Sequence, residues 1–177
     1  RVHQEYVPFV NDSAIAYQYR CIELAEKMGR DDMKYSTLTN LAYQLANSGF
    51  YNEARIHFNE IPKQYLDGEI LIQYLSGMNH LYGEMAYYSH DPKLKEEFFA
   101  MQRDIRDTLM AQLDSTSSSW IALKTMILNN QNKPDEALPY CDKWMASCKP
   151  NTRRYAIMSF FRSEIYKKMG NTEMQRY

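Results

Sequence analysis

An all-α fold of repeated antiparallel helix hairpins is what the sequence predicts, on three observations. A small residue, a turn about seven residues later and a new helical run recur along the chain, most clearly as Leu38 to Ala42, then Gly49 to Ala54, then Phe58. Six glycines and six prolines are few for a β-rich protein with many tight turns. Eleven methionines, 15 tyrosines and abundant Leu, Ala, Glu, Gln and Lys suit packed helices instead. A repeat of this length means one supersecondary unit copied several times, each copy unable to bury its apolar face alone.

The helices follow in order from their start and stop signals. The first begins near the cap residues Asn11, Asp12 and Ser13, carries Ile15, Tyr19, Cys21 and Ile22 inward, and ends at Gly29. Asp31 and Asp32 open the second, where Leu38, Leu41, Ala42 and Leu45 fall at helical spacing before Gly49 closes it. Asn52 and Glu53 restart the chain into a third helix bearing Ala54, Phe58 and Ile61, stopped by Pro62. A long fourth helix runs from about Asp67 to Ser89. Asp91 followed by Pro92 is a strong restart, an acceptor at the cap and a proline at the first helical position, and the fifth helix reaches about Leu113. Asp114 to Ser119 is the most loop-like segment. Helices over 119–130, 134–147, 151–169 and from Asn171 onward complete the set. Pro139 falls inside one of them, where it removes a backbone donor and is expected to kink it.

The second helices of successive pairs align at Ala14, Ala54, Lys95, Ala137 and Gln175, so the steps are 40, 41, 42 and 38 residues. Twelve residues before each of the last four stand Ala42, Gly83, Thr125 and Ser163, all small. A small side chain there lets the two helices of a hairpin cross closely. Phe58 likewise recurs 41 residues on as Phe99.

Composition narrows the function. The 177 residues suffice for one domain with a real core, and 45% hydrophobic with 24% charged residues is a soluble globular balance. The net charge is −1, from 22 acidic and 21 basic residues, and the basic ones are scattered, so direct nucleic-acid binding is not expected. No apolar run approaches the roughly 18 residues that would span a bilayer. The chain opens at Arg1 without a methionine and stops just after the helix-start signal of Gly170 to Glu173, which gives the expectation of a piece from a longer protein. Cys21, Cys141 and Cys148 form no C-x-x-C pair. The last two lie about 10.5 Å apart along one helix axis, beyond the roughly 7 Å reach of a disulfide. All three are expected as core thiols, which leaves the redox compartment open.

Catalytic signals are missing. His3, His57, His80 and His90 stand in different segments outside any metal-ligand spacing, and no G-x-S-x-G, P-loop or G-x-G-x-x-G occurs. His80 and Glu84 lie four apart on one helix, which reads as a polar pair on a helix face. Ser117, Ser118 and Ser119 read as linker and helix cap. The expectation is a chain with no enzymatic activity, cofactor or metal.

With these residues in view, the chain resembles the tetratricopeptide repeat: Asn40, Leu41 and Ala42, the turn Gly49, aromatic Tyr51, Glu53 and Ala54, and the later aromatic Phe58 match its pattern. Weaker copies are Asp12 to Ile15, Pro134 to Ala137 and Gly170 to Glu173. Lys95 and Gln175 depart from it by replacing a small residue, and steps near 40 exceed the usual 34. The resemblance implies a right-handed α-solenoid in a single repeat domain over 1–177, with repeats near 1–30, 31–66, 67–114, 115–149 and 150–177. The order of segments from Tyr82 through Tyr87 and Tyr88, Phe98 and Phe99, Arg106 to Leu109, 122–130 and Asp135 to Ala137 is similar to the sensor region of a family of Gram-negative bacterial regulators. In that family a secreted repeat region precedes a membrane helix, a coiled coil and a cytoplasmic helix-turn-helix output domain. That implies a periplasmic input half of a signalling and transcription regulator; without it, a cytoplasmic scaffold is the alternative.

Tetratricopeptide grooves are lined by the first helix of each pair. The resemblance therefore implies a concave binding groove at Asn40, Tyr43 and Asn47, then His80, Glu84, Tyr87 and Tyr88, then Met126, Asn129 and Asn130, then Glu164 and Lys167. The expected partner is a protein or peptide segment, held by aromatic and amide contacts because the chain is nearly neutral. Tyr17, Tyr19, Tyr74, Tyr82 and Tyr166 are expected to pack between hairpins. The alternative is a structural dimerisation or spacer module, self-associating through Phe160, Phe161 and Ile165.

Overall fold

The structure, a computed structural model, describes residues 11–170. Among them eight α-helices and one short 3-10 turn account for the regular structure, and no strand forms. In order these are α1 (Asn11–Lys27), α2 (Asp31–Asn47), α3 (Tyr51–Asn59), the 3-10 turn Lys63–Tyr65, α4 (Gly68–Tyr88), α5 (Pro92–Gln112), α6 (Ser118–Asn130), α7 (Pro134–Ala146) and α8 (Arg153–Lys168). The expected helix from Asn171 lies outside the described residues. The chain divides into two compact units, residues 1–112 and 113–177.

The turns explain why the hairpins repeat. Gly29, Gly49 and Asn132 all take left-handed backbone, with φ of 63°, 84° and 57°. After each, the next N–H reaches back five residues: Arg30 to the Ala25 carbonyl at 2.9 Å, Phe50 to Leu45 at 3.0 Å and Lys133 to Leu128 at 2.9 Å. This is the Schellman closure. The same Arg30, Phe50 and Lys133 then accept the first bond of the following helix, from Lys34, Ala54 and Ala137. One residue thus ends one helix and begins the next, and the carbonyl it closes onto belongs each time to a buried Ala or Leu.

Elsewhere side chains set the starts. Asp91 accepts from the backbone N–H groups of Lys93 at 2.8 Å and Leu94 at 3.0 Å, as its place before Pro92 predicts. The Ser117 hydroxyl accepts from the Trp120 N–H at 3.2 Å and Thr152 does the same for Tyr155. The last of these corrects the expected start at Asn151, which is itself left-handed with φ 61°. The α7 helix passes through Pro139 without a break; Pro139 lies on the exposed side, where water can take the orphaned carbonyl.

In the first unit, α2 is the central element, packed against α1, α3 and α4, while α4 pairs with α5. The core joins Leu38, Leu41, Ala42, Leu45 and Ala46 of α2 to Ala54 and Phe58 of α3 and Met78 and Leu81 of α4. Phe58 is fully buried and meets Tyr74 edge-on at 5.5 Å. A Cβ built at Gly77 would clash with the edge of the Phe58 ring, 2.9 Å from its Cε1 and closer still to its Cζ. Gly83, expected as a close-crossing position, is one: Gln102 of α5 lies across it and donates its amide to the Asn79 carbonyl at 3.2 Å.

In the second unit, α6 pairs with α7 and α7 with α8. One core cluster gathers Ile121, Trp144, Cys148 and Met158, another Leu128, Ala137, Cys141 and Ile165. Burial pushes the Cys141 thiol up to about 11. Thr125 is fully buried because its hydroxyl donates to the Ile121 carbonyl at 2.8 Å, which satisfies it within its own helix.

Two expectations for α1 are corrected. Its buried positions are Ala14, Gln18 and Ala25, with Ile15 and Ile22 half-buried, which leaves Tyr19 and Cys21 exposed. Helical rotation of about 100° per residue turns Tyr19 off the stripe of Ala14 and Gln18, whereas Cys21, seven residues from Ala14, stays near that face and is nevertheless exposed. A buried glutamine holds a position that hydropathy alone would assign to an apolar residue.

Candidate functional site

The α2 helix presents Ser36, Asn40, Tyr43 and Asn47 at steps of four, three and four, one stripe along one face. The α4 helix does the same with Gln73, His80, Glu84 and Tyr87 or Tyr88. Two contacts bring the stripes together, and a third ties α4 to the start of α3. Ser36 Oγ donates to Gln73 Oε1 at 3.5 Å, the Tyr43 and His80 rings sit 5.0 Å apart, and Tyr51, opening α3, stacks on Tyr88 at 6.4 Å. Each pair is 37 residues apart in sequence. Equivalent core positions, Leu41, Leu81 and Ile121, are instead 40 apart. Neighbouring first helices therefore meet about one turn out of register along this seam.

The seam is polar, aromatic and accessible. Tyr43 is 41% exposed, and Tyr87 and Tyr88 are 73% and 59% exposed with their rings edge to face at 5.0 Å. Large exposed tyrosines in one stripe give contact area at low conformational cost. Asn40 and Asn47 each spend one amide N–H on their own helix, on the Ser36 carbonyl at 3.0 Å and the Tyr43 carbonyl at 3.2 Å. Each amide keeps its second N–H and its oxygen for other partners. His80 is half-buried, and desolvation holds its ring below the ordinary histidine range against the opposing pull of Glu84. Its Nε2 is buried without a hydrogen-bond partner among the described residues.

The expected site residues of the second unit are arranged differently. Met126 packs against the cluster of Ile121 and Trp144, and Asn129 is buried. The backbone carbonyl of Asn129 accepts from Lys168 Nζ of α8 at 2.6 Å, while Arg154 donates to Ser118 at the other end of the same helix pair. Asn130 and Lys167 are exposed and Glu164 is half-buried. Of the five tyrosines expected to pack, Tyr74, Tyr82 and Tyr166 do so, against Phe58, against Phe98 at 6.3 Å and beneath Arg162 at 5.3 Å. Tyr17 is half-buried, and Tyr19 faces a different feature.

That feature is a cavity of about 430 Å³ within the first unit, which no sequence signal had marked. Ile22 and Leu38 contribute apolar lining, with Tyr19 and Tyr35 beside them. Tyr19 Oη lies 3.2 Å from His57 Nε2, and His57 Nδ1 lies 2.9 Å from Glu60. Lys34 pairs with Glu26 at 2.8 Å. Its charged groups are already matched to each other, unlike those of the seam. Among the described residues no three His, Cys, Asp or Glu side chains are grouped to hold a metal ion, and no helix is long and apolar enough to cross a membrane.

Helix hairpins closed by a recurring turn, with first helices aligned into an accessible polar and aromatic seam, define a tetratricopeptide-type module, a class that works through protein interaction and is generally non-catalytic. The chain belongs to the family of the SusR N-terminal TPR domain, which matches residues 1–177. A search among curated proteins finds no match.

Proposed function

We propose that the α2/α4 seam binds an extended peptide or protein segment, and that the chain is the sensor or scaffold part of a larger bacterial regulator. The observation that carries the first half is the pair of 37-residue contacts between α2 and α4, continued by Tyr51 of α3 on Tyr88, which sets two stripes of amides and tyrosines side by side. Amides both donate and accept, as an extended backbone requires, and the ring faces supply contact area. The second half draws support from the family's description as an N-terminal domain, which implies a further region following it. A periplasmic location for this input half goes with the regulator reading.

The test is the double substitution Asn40→Ala with Tyr43→Ala, followed by pull-down of the bound partner, with far-UV circular dichroism as the check on fold. Loss of the partner from an intact fold supports the seam; unchanged capture removes it. A second reading, self-association, is favoured by Phe160 and Ile157 on α8, 62% and 41% exposed. Phe161 and Ile165, the other residues expected in that contact, pack into the second unit instead. Light scattering across a range of concentrations tests it, since a monomer at every concentration removes it.

A further inference from the structure

We propose that the seam selects segments carrying an arginine or lysine, whose cation seats on Glu84. The proposal rests on the seam being the binding face and adds the chemistry of what binds there. In the 21 residues of α4 the only acidic side chains are Glu69 and Glu84, and there is no lysine or arginine at all. Glu69 is engaged by the Gln73 amide at 3.2 Å. Glu84 is half-buried and has no ion-pair partner among the described residues. On the facing stripe of α2, Ser36, Asn40, Tyr43 and Asn47 carry no charge, and Lys34 at the start of that helix is held by Glu26. A chain that is nearly neutral overall therefore presents a seam that is locally negative.

The field of Glu84 reaches Tyr51 at the start of α3 and His80 one turn earlier on α4. It helps hold the Tyr51 hydroxyl in its protonated form, with burial the larger cause, and it works against the desolvation of His80. A half-buried carboxylate with no ion pair keeps its acceptor oxygens for an incoming cation, and such charge-assisted hydrogen bonds are the strong ones. The surrounding side chains suit the same occupant. Tyr51 and Tyr88 stack beside Glu84, Tyr43 lies against His80 one turn away, and ring faces attract a guanidinium or ammonium group. An acidic segment would meet repulsion with no lysine or arginine in the two stripes to offset it.

The experiment is selection of random short peptides displayed on phage against the wild-type chain, followed by anisotropy measurements on the enriched sequences. The expected result is enrichment of arginine or lysine at one position. Affinity should then fall about tenfold on Glu84→Gln, the loss expected for one charge-assisted contact, and should weaken with added salt. Enriched peptides that lose binding on Tyr43→Ala but carry no basic residue, or bind Glu84→Gln as well as wild type, overturn the cation proposal and leave the seam standing. Peptides indifferent to both substitutions, or no enrichment at all, overturn the seam together with it. Glu84→Gln preserves shape and hydrogen bonding, so a folded variant is expected; Glu84→Lys is the second variant, predicted to lose basic peptides altogether.

Discussion

Gly77 and His80 occupy neighbouring turns of α4, and each is set by what lies across from it. A methyl group at Gly77 would clash with the ring edge of fully buried Phe58, which is enclosed by Tyr74 and the α2 leucines. Gly77→Ala should therefore destabilise the protein by about 1–3 kcal/mol through overpacking, outweighing a helix-propensity gain of up to about 1 kcal/mol. A lowered urea midpoint by circular dichroism is the expected outcome, and a raised one contradicts the packing. For His80, burial depresses the folded-state value below its ordinary 6.5. The unfolded chain thus binds the proton more readily, so the His80 contribution is complete above that value and is lost as pH falls through and below it. Wild type should lose more stability than His80→Gln between about pH 7 and pH 5; equal losses would show that the ring is solvated.

Each helix carries its own record of how far sequence determines structure. The α2 helix was legible throughout, because Leu38, Leu41, Ala42 and Leu45 repeat at helical spacing and Gly49 supplies the left-handed closure. The α1 helix is less so: Gln18 is buried where hydropathy expects an apolar residue, while Tyr19 and Cys21, expected inward, are exposed. Asn132 performs the task of glycine between α6 and α7, a substitution of role that composition does not reveal. Of the seam, Asn40, Tyr43, Asn47, His80, Glu84, Tyr87 and Tyr88 were legible as first-helix positions. Gln73 and the 37-residue offset were not, because sequence alignment counts equivalent positions whereas contact depends on how far one helix slides along another. At the start of α6, Ser117 caps the Trp120 N–H. Ser117→Ala should cost about 1 kcal/mol, read through the fluorescence of Trp120 and Trp144, both in the second unit. No change would mean that the cap bond is not maintained in solution.

The two units make different use of one hairpin design. In residues 1–112 the first helices leave an accessible stripe of tyrosines, amides and one carboxylate. In the second unit the corresponding residues Met126 and Asn129 are drawn into packing, and Lys168 closes onto the Asn129 carbonyl. The proposed recognition is accordingly placed on the first unit. Hydrogen exchange of the chain, free and saturated with a peptide enriched by selection, tests this assignment. Slowed exchange confined to 36–47 and 73–88 is the predicted result. Protection centred on Tyr19, His57 and Glu60, or within residues 118–168, would contradict it.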